Sequence, residues 1–131
     1  DGAYLWRASR GRHAGVKTFV MNSHVVAGVG NIYANEALFR AGIDPRRAAG
    51  RIAAVRYEQL AAAIRAVLAE AIAQGGTTLR DFVAAEGRPG YFRPRLAVYD
   101  RAGEPCPHCR APLRREVTGQ RASYFCPRCQ R

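Results

Sequence analysis

Acid is scarce in this chain. Ten Asp and Glu stand against 21 Lys and Arg over 131 residues, a formal charge of +11 and a sequence pI of about 10.5, which points to a polyanionic partner, nucleic acid first. Long apolar runs are missing: nothing approaches the roughly 20 residues that span a bilayer. The opening DGAYLWRASRGRH lacks the apolar stretch of a signal peptide, so secretion and membrane insertion are not expected and a cytoplasmic location is. Lysine is almost absent, Lys17 being the only one among the 21 basic residues. Beside so many alanines that bias is most simply genome composition, and the net charge is the firmer datum. Repeats and low-complexity tracts are absent too. With 48% hydrophobic and 24% charged residues the chain supports an ordinary core rather than a disordered tail. Basic residues run through its whole length, which argues for a folded surface with one or more basic faces; a merely solvated face is the alternative.

Cysteine is missing from the first 105 residues and then comes four times, as Cys106-Pro-His-Cys109 and Cys126-Pro-Arg-Cys129. Two C-x-x-C knuckles at this separation match the four-thiolate zinc pattern, each knuckle offering two sulfurs to one ion. Between them, β-prone stretches flank Thr118-Gly119-Gln120, so a hairpin can carry the second knuckle back beside the first. Disulfides fit poorly without a secretory signal, and redox C-x-x-C pairs sit at strand-to-helix junctions that these prolines do not suggest. Four sulfurs leave no open position for water, so the zinc is read as structural, and a segment this short needs a metal to fold. His108, inside the first knuckle, is read as an exposed side chain rather than a ligand.

Upstream the pattern is helical. Ile52, Val55, Leu60, Ile64, Val67, Leu68, Ala71 and Ile72 recur at steps of three and four up to Gly75-Gly76, which predicts a helix over 52–74. Ile32, Ala34, Ala37, Leu38 and Phe39 predict another over 31–41, closed by Gly42. Shorter helices are expected at 16–21, within 4–9 and at 78–84, and 86–90 reads as a mobile surface loop. The stretch 22–30, punctuated by Gly28 and Gly30, is too long for a tight corner and implies two successive turns. Glycines at a helix start let backbone N–H groups approach an anion such as phosphate. Asn31 falls at or near the N-cap, where its amide either caps the helix or donates to a phosphate oxygen.

These residues carry a resemblance. Val29-Gly-Asn-Ile-Tyr-Ala-Asn-Glu36, running on to Gly42, resembles the helix–two-turns–helix signature of the formamidopyrimidine-DNA glycosylase family. Gly75-Gly-Thr-Thr-Leu-Arg-Asp-Phe82, Gly87-Arg-Pro-Gly-Tyr-Phe92 and the finger around Gln120-Arg121-Ala-Ser-Tyr-Phe-Cys126 do likewise. The resemblance implies a mainly α fold: a helix–two-turns–helix bundle over 1–94 with a lesion loop near 83–91, then a small β-hairpin zinc finger over 95–131. It also implies a bacterial base-excision repair enzyme that removes oxidised purines and nicks the abasic strand, acting as a monomer on double-stranded DNA that is damaged or abasic. Lys17, Asn31 and Arg121 match family positions on the phosphates flanking the lesion, with Gly28 and Gly30 at the turn. Glu86, Gly87, Arg88, Gly90 and Tyr91 match the loop over the everted base, and Cys106, Cys109, Cys126 and Cys129 match the ligands of one Zn²⁺. The family's catalytic amino-terminal proline and the acidic residue after it have no counterpart, since this chain begins Asp1-Gly2. The chain is therefore expected to be the carboxy-terminal half of such an enzyme, binding DNA without cleaving it. Lys17 is not expected to replace the missing amine, because nothing near it in sequence suggests a depressed pKa. A stand-alone zinc-containing DNA-binding module is the alternative, and an RNA-binding zinc ribbon a weaker one.

Overall fold

A computed structural model describes residues 1–73 and 96–131. Helix α1 (Gly2–Ser9) starts at Asp1, whose Oδ1 accepts the Tyr4 N–H at 2.8 Å. Helix α2 (Val16–Met21) and helix α3 (Asn31–Ala41) are joined by 22–30. There the amides of Val25 and Val26 donate to the Asn22 carbonyl, and Gly28 then adopts φ +84°. Two successive turns result, as the glycine spacing predicts. Helix α3 stops because Gly42 turns left-handed at φ 71°, letting the amides of Gly42 and Ile43 cap the carbonyls of Phe39 and Leu38.

A 3₁₀ turn (Ala49–Arg51) leads into α4 (Ala54–Ala73). This helix starts two residues later than the periodicity predicts, because Ile52 is buried in the extended residue that ends the turn. Val55 and Ile72, counted in the same apolar stripe, are 59% and 73% exposed. The buried face is instead set by Tyr57, Leu60, Ala61, Ile64 and Val67, and Val55 lies two residues, about 200° of helix turn, from Tyr57. Tyr57 is fully buried and its hydroxyl donates to the Ala49 carbonyl at 2.7 Å, which satisfies the one polar atom that would penalise its burial. The helix expected at 78–84 and the loop at 86–90 lie outside the described residues.

The helices enclose one apolar cluster, with Val16, Phe19, Val20, Leu38, Ile43, Tyr57 and Leu60 at its centre. A second, smaller cluster joins Val98, Cys106, Leu113, Tyr124 and Cys126 of the carboxy-terminal part to Phe39 of α3. Its frame is an antiparallel hairpin, β1 (Arg114–Thr118) paired with β2 (Arg121–Phe125) in the register Arg114↔Phe125 to Thr118↔Arg121. Gly119, at φ 64°, opens the two-residue loop between them, a conformation that favours glycine. Thus α3 serves both halves: Leu38 faces the helices and Phe39 the finger.

Candidate metal centre and nucleic-acid interface

The two knuckles meet. Their four Sγ atoms lie within 4.8 Å of one another, with Cys106–Cys129 at 3.8 Å and Cys109–Cys126 at 3.5 Å. A tetrahedral zinc with Zn–S bonds of about 2.3 Å sets its ligands about 3.8 Å apart, so the four cysteines fit one ion. Backbone amides already point at the sulfurs, His108 N–H to Cys106 Sγ and Cys129 N–H to Cys126 Sγ, both at 3.4 Å, as anionic thiolates require. His108 itself is exposed and stacks flat on Phe39, ring centroids 5.0 Å apart. It stays out of the ligand set and fastens the knuckle to α3. The site is a structural zinc site, and what it holds in place is the hairpin.

Four buried polar side chains tie the carboxy-terminal part to the helical part. Glu36 on α3 accepts the amides of Ala97 (2.7 Å), Val98 (3.0 Å) and Tyr99 (2.9 Å). Asn35 accepts the Tyr124 amide at 2.7 Å. Gln130 accepts the Cys126 amide and donates to the Ile43 carbonyl. Lys17 on α2 is only 5% exposed, and its Nζ donates to the Ala122 carbonyl and to Ser123 Oγ, each at 2.9 Å. Sequence reasoning missed Asn35, Glu36, Ser123 and Gln130 as site residues. The available signal was a pair of asparagines one helical turn apart, Asn31 and Asn35, with Glu36 directly after the second.

Lys17, Asn31 and Arg121 come together around residues 121–123. Asn31 is the first residue of α3; its N-cap is Gly30, which offers no side-chain cap. The Asn31 side chain does not cap the helix. Its Nδ2 donates to the Ala122 carbonyl at 3.1 Å, and its buried Oδ1 has no hydrogen-bond partner among the described residues. Arg121 is exposed at the start of β2. A cleft of about 720 Å³ opens between α2 and the hairpin, lined by Lys17, Thr18, Asn22, Arg46, Gln120 and Arg121 among others. Arg46 is already committed to Asp44 (2.7 Å) and Glu116 (3.1 Å), whereas no carboxylate is among the described residues lining the cleft. Gly28 and Gly30 lie at the turn before α3, and a Cβ on either would meet open space, so the fold itself leaves that ground clear. The loop residues Glu86, Gly87, Arg88, Gly90 and Tyr91 lie outside the described residues.

Contrary to the sequence reading, the surroundings of Lys17 do depress its pKa. Burial, with the Arg121 guanidinium beside it, holds the ammonium down to about 8 from 10.5. The unfolded chain keeps this proton up to its ordinary pKa while the folded chain releases it near 8, so the unfolded state binds more protons in between and stability rises with pH across that window. We expect zinc-loaded protein to gain about 2 kcal/mol in urea denaturation between about pH 7 and pH 9.5, and Lys17→Met to lose that gain. An equal slope in both proteins would contradict the assignment.

Comparison with known proteins agrees with this architecture. Residues 1–83 match the model of the formamidopyrimidine-DNA glycosylase H2TH domain, and residues 103–131 that of the zinc finger found in FPG and IleRS. The chain is 63% identical, over its whole length, to 48% of the formamidopyrimidine-DNA glycosylase of Methylococcus capsulatus. It spans about half the length of the curated relatives it matches. Among solved structures, the MutM (FPG) protein of Thermus thermophilus superposes with a TM-score of 0.86 at 42% identity, covering 99% of this chain and 50% of that one. Lactococcus lactis Fpg, in its complex with DNA containing an abasic site, gives 0.85 at 30% identity, covering 100% of this chain and 47% of that one. The chain belongs to the formamidopyrimidine-DNA glycosylase family, of which it carries the helix–two-turns–helix domain and the four-cysteine zinc finger.

Proposed function

We propose that this chain is the DNA-gripping part of a cytoplasmic base-excision repair enzyme, a glycosylase and abasic-site lyase acting on oxidised purines such as 8-oxoguanine and formamidopyrimidines. The observation that carries the reading is that Lys17 and Arg121 line one cleft of a strongly basic chain, with no carboxylate among its described lining residues, while Asn31 is bonded to the Ala122 carbonyl that Lys17 also reaches. Extruding a base from the stack costs a few kcal/mol, and a protein that fixes the phosphates on both sides of the lesion offsets that cost. Arg121 suits one phosphate through two parallel hydrogen bonds. The start of α3 suits the other: Asn31 supplies a neutral donor beside the helix dipole, and the bare backbone of Gly28 and Gly30 lets the strand come close. Lys17 adds its charge behind Arg121.

In this reading the zinc finger and the helices are two jaws, and the stretch near 83–91 belongs to the loop over the everted base. The chain acts as a monomer, and the amine that attacks the sugar lies in polypeptide outside it. The test compares zinc-loaded chain binding to undamaged, abasic-analogue and 8-oxoguanine duplexes. We expect the abasic analogue to bind best, because its site bends and opens at least cost, and borohydride to trap no covalent adduct with abasic DNA. Equal affinity for all three duplexes would contradict the grip on a lesion, and a robust adduct would contradict the assignment of the nucleophile.

A further inference from the structure

Three side-chain donors from two helices converge on one backbone oxygen of the hairpin. Lys17 Nζ reaches the Ala122 carbonyl at 2.9 Å, Asn31 Nδ2 at 3.1 Å and Asn35 Nδ2 at 3.4 Å. A carbonyl has two lone pairs, so three donors saturate this one, the 3.4 Å contact from Asn35 being the weakest. Ala122 follows Arg121 directly in β2, and Asn35 also accepts the Tyr124 amide and donates to the Asn31 carbonyl. Asn31, which would hold one phosphate, is therefore bonded to the residue next to Arg121, which would hold the other.

Resting on the clamp reading above, we propose that Lys17 is a positioning residue: it acts on DNA through Arg121, by pinning β2 against α3, and touches no phosphate itself. The ammonium is buried while Arg121 is exposed, and two of its three protons are spent on Ala122 and Ser123. Turning the ammonium onto a phosphate would strip Ser123 Oγ of its donor and remove the shortest of the three bonds on the Ala122 carbonyl, which is costly in a buried setting. No carboxylate pairs with Lys17 among the described residues. Its charge instead faces the Arg121 guanidinium, a repulsion that burial intensifies. A phosphate arriving on Arg121 relieves that repulsion without any direct contact with Lys17, so the lysine favours the bound state from behind.

The test is a double-mutant cycle on the zinc-loaded chain, using Lys17→Met, Arg121→Ala and the pair, with a duplex carrying a tetrahydrofuran abasic analogue. Amide hydrogen exchange over residues 121–124 of the free protein is measured alongside. Lys17→Met is expected to weaken binding about tenfold and to speed exchange in β2 by a similar factor. The double variant should bind within about twofold of Arg121→Ala alone, since both act through one guanidinium. Unchanged exchange together with losses that multiply would show Lys17 on a phosphate and overturn the proposal. Arg121→Ala binding as tightly as the parent would instead sink the clamp reading, while the exchange data still decide whether Lys17 holds the hairpin. Should Lys17→Met fail to fold, Ser123→Ala keeps the ammonium and removes one acceptor. Faster β2 exchange with weaker binding is expected from it, and no change in either would overturn the proposal.

Discussion

Removing the zinc with a chelator is expected to dissolve the hairpin from about residue 101 onward, abolish DNA binding and leave the helices standing. The finger has too little apolar surface to fold alone: its cluster is Phe39, Val98, Leu113 and Tyr124 with two of the metal ligands, and segments below roughly 40 residues rarely hold a core without a metal. Zinc contributes roughly 10–16 kcal/mol in small fingers of this kind, more than the remaining contacts replace. The helices keep their own cluster through Leu38, Tyr57 and Leu60, so far-UV helicity should survive. They lose stability all the same, because Lys17 and Asn35 forfeit their partners on β2. Hydrogen exchange on chelated protein checks this, and protected amides in 114–125 without metal would contradict it.

Replacing Arg121 by alanine is expected to weaken binding to an abasic duplex by roughly tenfold to a hundredfold, the worth of a hydrogen-bonded guanidinium on phosphate at about 1.5–3 kcal/mol. The slope of log affinity against log salt should fall by about 0.9, the counterions released by one phosphate contact. Zinc content and helicity should not change, since Arg121 is exposed at the mouth of the hairpin and no described ion pair includes it. Lysine at the same position should recover charge but not the paired hydrogen bonds, giving an affinity between the two. A salt-independent loss, or none, would remove Arg121 from the interface.

Much of the fold was legible because its signals are local. Gly42 stops α3 by a left-handed cap, Gly28 marks the turn, Gly119 opens the hairpin, and the knuckle spacing brings four sulfurs together. What was not legible depends on partners far along the chain. Nothing around Glu36 in sequence announces that it gathers three amides some 61 to 63 residues away. Likewise no local signal around Lys17 shows that β2, 105 residues on, closes over it and that burial depresses its pKa. Asn31 was half legible: the helix start was right, but its amide answers to the finger and not to its own helix. Val55 and Ile72 misled because an alanine-rich helix carries apolar residues on every face, and Tyr57, passed over in the count, supplies a fully buried ring.

The account stands on a grip at two phosphates by elements joined through the Ala122 carbonyl. Replacing single phosphates of an abasic-analogue duplex, one at a time, by uncharged methylphosphonates tests it most directly. Affinity for the zinc-loaded chain should drop sharply at the two positions flanking the abasic site and stay level elsewhere, with the drop at one of them vanishing in Arg121→Ala. A loss spread evenly along the duplex would mean that the basic surface binds DNA without holding a lesion.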